Sequence, residues 1–387
     1  MTIPTIRLES KLPNVGTTIF TVMSALAAER KAVNLGQGFP DFGCDPALTA
    51  RVTEAMNAGL NQYPPMAGVP ALRQAIAAKV ERLYGHRYLA DSEITVTAGA
   101  TQALLTAILC SVRAGDEVIV IEPVYDSYVP SIELAGGKAV PVQMELGPDG
   151  YRIPWDRVAA AVTPRTRLIM LNSPHNPTGS VFGERDIASL RAIVDGTDIL
   201  IVSDEVYEHM VYDSRRHESM CRYPDLAARS FVVSSFGKTY HVTGWKVGHV
   251  AAPAALSAEF RKVHQFNVFT VNTPVQHALA AYMADPSPYL DLPAFYQRKR
   301  DLFRDGLAGS RFRLLPSDGT YFQCVDYSAI SSMPENEFAR WLTAEIGVAA
   351  IPVSAFYGTP RESGIVRFCF AKRDETLREA LQKLAKV

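Results

Sequence analysis

Short apolar runs recur along the middle of the chain, each closing on polar or glycine residues before a stretch with helical spacing. Ile94-Thr95-Val96-Thr97 ends in Ala98-Gly99-Ala100-Thr101 and leads into a helix over Gln102–Val112. Glu117–Ile121 ends in Glu122-Pro123-Val124-Tyr125, and Arg167–Leu171 ends in Asn172-Ser173-Pro174-His175-Asn176-Pro177-Thr178-Gly179. Ile199–Val202 gives way to Ser203-Asp204-Glu205-Val206-Tyr207. Phe231-Val232-Val233 runs into Ser234-Ser235-Phe236-Gly237-Lys238-Thr239. Runs that are apolar throughout, instead of alternating, suit strands covered on both faces. Interleaved with helices, they predict an α/β fold with a mainly parallel central sheet.

Outside these units the pattern is helical. TTIFTVMSALAAER (residues 17–30) places Ile19, Met23 and Leu26 on one face, and Pro70–Arg82 reads as a second helix. Between them lie two loops rich in glycine and proline, Val33–Phe42 and Asn61–Gly68. After Pro253 helices are expected over Ala255–Phe269 and Thr273–Met283. Asp285-Pro286-Ser287-Pro288 is the strongest boundary signal in the chain. Beyond it come a helix over Ala294–Leu307 and a second α/β unit with Thr320-Tyr321-Phe322 and Ile365–Phe370. We see no internal repeat and no low-complexity tract.

Composition narrows the function. The 387 residues leave room for a large domain and a smaller one, and 48% hydrophobic with 20% charged is ordinary globular composition. Lys plus Arg is 39 against 40 for Asp plus Glu, so there is no basic footprint for nucleic acid and no polybasic membrane patch. Five scattered cysteines without a CxxC suggest neither a disulfide framework nor a metal knuckle. Met1–Asn14 holds no apolar signal core, and no apolar run has the length of a membrane helix. The expectation is a cytoplasmic protein without a metal.

In parallel α/β sheets ligands sit beyond the carboxyl ends of the strands, and the chemically able residues fall there. Lys238 can form an imine with an aldehyde cofactor, while Ser235 and Lys246 hold a phosphate. A Walker A loop is excluded, since its first glycine would stand where the chain has Val232. Asp204 can pair with a ring nitrogen, and Tyr207 can donate to a phenolic oxygen. Ala100 and Thr101 open a helix after a strand, where backbone N–H groups bind phosphate. Tyr125 can stack on a ring and Asn176 can bond a phenolic oxygen or a carboxylate. Capture of a carboxylate calls for a planar, bidentate donor, and Arg367 is the candidate. Gly38 allows backbone to approach a small ligand.

SSFGKTYHVTGWKVG, NSPHNPTG, SDEVY, NQYPPMAGVPALR, LGQGFPDF and IVRFCFAK, taken together, resemble the fold-type I, class I/II aminotransferases. The likeness is strongest to the branch holding kynurenine/glutamine transaminases and bacterial methionine aminotransferases, and runs from about residue 12 to the C-terminus. It implies pyridoxal 5'-phosphate carried on Lys238, with Asp204 on the ring nitrogen and Tyr207 and Asn176 on the phenolic oxygen. It implies that Ala100, Thr101, Ser235 and Lys246 hold the phosphate, and that Arg367, with Gly38 and Asn176, holds the substrate carboxylate. Tyr63 would reach the cofactor phosphate of a partner subunit, so a homodimer with shared active sites is expected. A large cofactor-binding domain over 46–285 and a small domain built from 1–45 and 286–387 follow. Lys246, where aspartate aminotransferases carry Arg, favours this branch. No motif places a second arginine for a dicarboxylate, so apolar or aromatic side chains are expected, with Phe20, Tyr63, Tyr125 and His175 as pocket walls. The expected reaction moves the amino group of methionine, and of aromatic amino acids, to a 2-oxo acid. The alternative is kynurenine–oxoglutarate/glutamine transamination with cysteine-S-conjugate β-lyase activity.

Overall fold

In the computed structural model, which describes residues 8–359 and 361–387, the apolar runs form one sheet of seven strands. They are β1 (Ile94–Thr97), β2 (Glu117–Glu122), β3 (Lys138–Gln143), β4 (Thr166–Asn172), β5 (Leu200–Asp204), β6 (Ser230–Ser235) and β7 (Gly248–Ala251), in the spatial order β1-β7-β6-β5-β4-β2-β3. β2, β3, β4, β5 and β6 pair in parallel, whereas β7 runs antiparallel between β1 and β6. The mainly parallel sheet is as expected, with two strands more than the apolar runs reveal. Lys138–Gln143 is an edge strand with a proline and exposed positions, and Gly248–Ala251 is short and opens on glycine.

Helices pack around the sheets, in chain order α1 (Ile19–Arg30), α2 (Pro46–Asn57), α3 (Pro70–Tyr84), α4 (Gly99–Ser111) and α5 (Tyr128–Leu134), with α1 in the core of the smaller sheet and α4 and α5 on the larger one. α1 starts two residues later than the pattern suggests because the Thr18 hydroxyl accepts the Thr21 N–H and caps it. Further along come α6 (Ala254–Asn267), α7 (Thr273–Tyr282) and α8 (Leu292–Leu307). Asp285–Pro288 is a tight helix junction, with the Asp285 carboxylate accepting the Ser287 N–H ahead of a one-turn helix.

A second, four-stranded sheet is built from β8 (Arg313–Leu314), β9 (Phe322–Asp326), β10 (Ile351–Pro352) and β11 (Ile365–Cys369), in the order β8-β9-β11-β10. The N-terminal segment joins this part of the molecule. Val33 and Asn34 pair in parallel with Val348 and Ala349, and the Cys369 N–H donates to Leu35 O at 2.7 Å. Met23, Val33 and Leu35 share one apolar core with Phe338, Leu342, Val366 and Phe368. The large sheet has its own cores, with Val118, Val120, Val202 and Val233 beneath α4. Among the described residues no helix is long and apolar enough to cross a membrane. Residues 1–7 of the expected N-terminal arm lie outside the described part.

Candidate active site

The strand ends converge on one cavity of about 350 Å³, within the range of small-molecule sites. Phe20, Gly38, Ala100, Thr101, Tyr125, Asn176, Asp204, Tyr207, Ser235, Lys238, Lys246 and Arg367 all line it. Of the residues selected from sequence for cofactor and substrate, Tyr63 and His175 lie outside it, so Tyr63, like His175, is not a wall of this cavity. Tyr63 is 81% exposed on the loop before α3, edge-on to Phe269. The pocket-wall reading of His175 is corrected. Its ring is buried and paired with the Thr178 hydroxyl at 2.8 Å, outside the cavity lining, and burial pulls its pKa down to about 4.

Lys238 sits on the single helical turn Phe236–Thr239, capped by Ser235, whose hydroxyl accepts the Gly237 N–H at 3.1 Å. Its Nζ donates to Gly38 O at 3.0 Å and to the Tyr321 hydroxyl at 2.7 Å. Burial lowers its pKa to about 8, which leaves a sizeable neutral fraction near neutral pH. A neutral amine is nucleophilic. In the cofactor-free protein, acylation of Lys238 by an active ester, followed by peptide mass spectrometry, is therefore expected to rise with pH and level off above about 8. Surface lysines should still be accelerating there, and a Lys238 profile parallel to theirs would contradict the burial effect.

Asp204 ends β5 and is 4% exposed. Tyr128 on α5 donates to its Oδ2 at 2.6 Å and the Val206 N–H to its Oδ1 at 3.2 Å. Burial outweighs both bonds and the weaker pull of Lys238 and pushes its pKa up to about 6, and among the described residues no cation pairs with this carboxylate. Asn172 sets the next layer, its amide donating to Asp204 O at 2.9 Å and its Oδ1 accepting the Asn176 N–H at 2.8 Å.

α4 begins between β1 and the lysine loop, and no side chain caps its N-terminus. Gly99 has φ +79°, and a Cβ there would lie 3.4 Å from Lys246 Nζ. A Cβ on Gly248 would lie 2.8 Å from Ser234 O and 3.1 Å from Ala100 N. Glycine at both positions brings three backbones together around free N–H groups, the Ser235 hydroxyl and the Lys246 ammonium. That is the donor set of a phosphate cradle.

Arg367, on β11, is 1% exposed and has no carboxylate partner among the described residues. Nη1 donates to Asn176 Oδ1 at 2.6 Å and Nη2 to Gly36 O at 3.2 Å, while the buried Nε has no partner. Phe322, Phe356 and Phe20 surround the guanidinium, their ring centres 3.8, 5.1 and 5.4 Å from Cζ. A buried cation held by carbonyls and rings is short of one anion.

Tyr128, Tyr321, Phe322 and Phe356 are given no role by sequence reading, and Asn172, though it opens NSPHNPTG, is passed over for Asn176. Tyr321 follows Thr320, which has φ +65°, and reaches from the start of β9 to Lys238. The Asp-Ser-Tyr spacing after Tyr125, which opens α5, is the available hint for Tyr128.

The family model "Aminotransferase class I and II" matches residues 30–384. Over 377 residues the chain is 52% identical to the methionine aminotransferase of Escherichia coli (strain K12), covering 97% of each. It is 35% identical to kynurenine–oxoglutarate transaminase 1 of Mus musculus, covering 92% of each. It also resembles the crystal structure of YbdL from Escherichia coli, identified as having a methionine aminotransferase function. The TM-score is 0.97 at 51% identity, over 99% of this chain and 100% of that one.

Proposed function

The chain belongs to the class I and II aminotransferases, with their fold-type I architecture, and from that membership we propose that it moves the amino group of methionine to a 2-oxo acid with pyridoxal 5'-phosphate. The observation that carries this reading is the shared cavity. A lysine with a lowered pKa and a buried arginine short of an anion line one space with an uncapped helix start.

The residues fit the cofactor. Ala100, Thr101, Ser235 and Lys246 would hold its phosphate, Tyr125 a ring face, and Tyr207 and Asn176 its phenolic oxygen. Asp204 would face its ring nitrogen, and a cation there is what an Asp204 raised to about 6 lacks. When bound, the group supplies the aldehyde that accepts nitrogen and the ring that takes up an electron pair. The chain's own work is positional and acid–base. Arg367, with Asn176 and Gly38, orients the substrate carboxylate, and the Lys238 amine takes the proton from substrate Cα and later returns one. Tyr321 and the Gly38 carbonyl hold that amine in line, and Phe20 provides an apolar wall. We read 46–285 as the cofactor-binding unit and 1–45 with 286–387 as the unit that carries Arg367. A homodimer in the cytoplasm, with Tyr63 reaching the partner's site, completes the proposal, and its support is the exposed pair Tyr63 and Phe269 beside α3.

Titration of the purified protein with L-methionine should convert the visible absorption of the bound cofactor, and L-aspartate at equal concentration should not. Arg367→Ala is expected to raise the methionine KM on the order of 100-fold with that absorption retained, since it removes the carboxylate's buried partner. An unchanged KM would remove Arg367 from this role. The likeness to a kynurenine–oxoglutarate transaminase favours a second reading, in which kynurenine is the better donor. Conversion at lower kynurenine than methionine concentration selects it, and release of pyruvate and ammonia from a cysteine conjugate reports β-lyase activity.

A further inference from the structure

Two carboxylates line the cavity, and Asp204 accounts for one of them. The other, Asp126, stands in the wall with Phe20, Tyr125 and Arg367. Its loop is tied down on its N-terminal side by two hydrogen bonds. The Val124 N–H donates to Phe356 O at 2.8 Å, and the Gly358 N–H to Glu122 Oε1 at 2.8 Å. The segment that packs Phe356 against Arg367 is thus strapped to the one that carries Asp126. The residue is exposed overall, yet the protein crowding its carboxyl raises its pKa from the ordinary value, against the pull of Arg367 and of the Ser127 and Asp126 backbone N–H groups. No ion pair within 4.0 Å engages it among the described residues.

Lys238, Lys246 and Arg367 are the lysines and arginines of the lining. Lys238 is turned to Gly38 and Tyr321, Lys246 lies against Gly99 at the start of α4, and Arg367 is clasped by Asn176. Once a substrate α-carboxylate takes Arg367, the described residues of this chain offer no cation in the cavity to a second carboxylate. The wall offers an anion instead.

We propose that Asp126 is a specificity-determining residue that turns away substrates with a side-chain carboxylate. The inference rests on the reading of Arg367 as the α-carboxylate anchor. It assigns the amino donors of the site to the monocarboxylic class, with uncharged side chains. The device is repulsive, and discrimination built on an unfavourable contact is an ordinary route to selectivity.

The test compares the holoenzyme with Asp126→Asn and Asp126→Glu. It uses L-glutamate against its uncharged near-isosteres L-glutamine and L-methionine, and measures binding of glutarate against valerate by calorimetry. Asp126 is itself exposed to solvent, which screens part of the repulsion, so the glutamate-to-methionine ratio of kcat/KM is expected to rise about three-fold or more in Asp126→Asn. The glutarate-to-valerate ratio of affinities should rise in step, and Asp126→Glu should keep both ratios low. Ratios unchanged in Asp126→Asn would overturn the proposal. So would an equal rise in Asp126→Glu, because shape and not charge would then be responsible. Binding is read even where glutamate turnover is too slow to follow. Loss of the anchor reading shows separately, as an unchanged methionine KM in Arg367→Ala.

Discussion

Lys238→Ala is expected to reduce transamination by a factor on the order of 10⁴ or more, because it removes both the covalent anchor and the proton carrier. No other group replaces it. Tyr321, 2.7 Å from Nζ, is a phenol whose pKa burial raises well above its ordinary value. Lys246 lies against Gly99, at the other end of the cradle. The variant should fold, since shortening this side chain breaks two hydrogen bonds and relieves a desolvated amine. The phosphate cradle of α4, Ser235 and Lys246 is intact in it. Pyridoxal phosphate should still bind, more weakly, with the absorption of the free aldehyde. Turnover within ten-fold of the parent would refute the assignment of Lys238.

Asp204→Asn is expected to act in opposite directions on stability and on rate. In the cofactor-free protein the Asp204 pKa is raised from 3.8 to about 6. A carboxyl raised on folding holds its proton more tightly in the native state. The native state is therefore penalised as pH rises from about 4 through 6, and the full penalty of about 3 kcal/mol is present at neutral pH. Asparagine carries no charge to desolvate and can still accept from Tyr128, so the cofactor-free variant should melt a few degrees higher at pH 7. Near pH 4 that advantage should vanish. With cofactor bound the same change removes the partner of a ring cation, and turnover should fall on the order of 10³-fold, or about 4 kcal/mol. Melting curves at the two pH values and single-turnover rates check both halves. A variant less stable than the parent at pH 7, or nearly as fast, would contradict this account.

What the sequence discloses follows from the range of each signal. Lys238, Asp204, Tyr207, Asn176 and Arg367 each end or interrupt an apolar run, and a parallel sheet brings such ends together, so local pattern suffices to gather them. Tyr128, Tyr321 and Phe356 act through tertiary proximity. Tyr128 meets Asp204 from 76 positions away in the chain, and Tyr321 meets Lys238 from 83. Nothing in their immediate neighbours marks such a meeting. His175 shows the converse hazard. It adjoins Asn176, which lines the cavity, yet its ring turns to Thr178 and the interior. The strand Gly248–Ala251 escapes because the apolar-run signal belongs to strands joined by helical crossovers, and this one returns antiparallel after the lysine loop. Lys138–Gln143 escapes because an edge strand need not be apolar throughout.

That antiparallel strand has a consequence for how the protein comes into being. β7 is wedged between β1 and β6, with Gly248 against Gly99 and Ala100, so the two halves of the phosphate cradle become neighbours only when residue 248 joins residue 97. A chain emerging from the ribosome N-terminus first has the start of α4 long before it has that neighbour, and Arg367 is later still. Contacts this distant in sequence form late and slowly. Capture of the cofactor thus reports that the sheet has closed. A nascent or truncated chain that stops short of Gly248 is expected to remain colourless in a medium rich in pyridoxal phosphate.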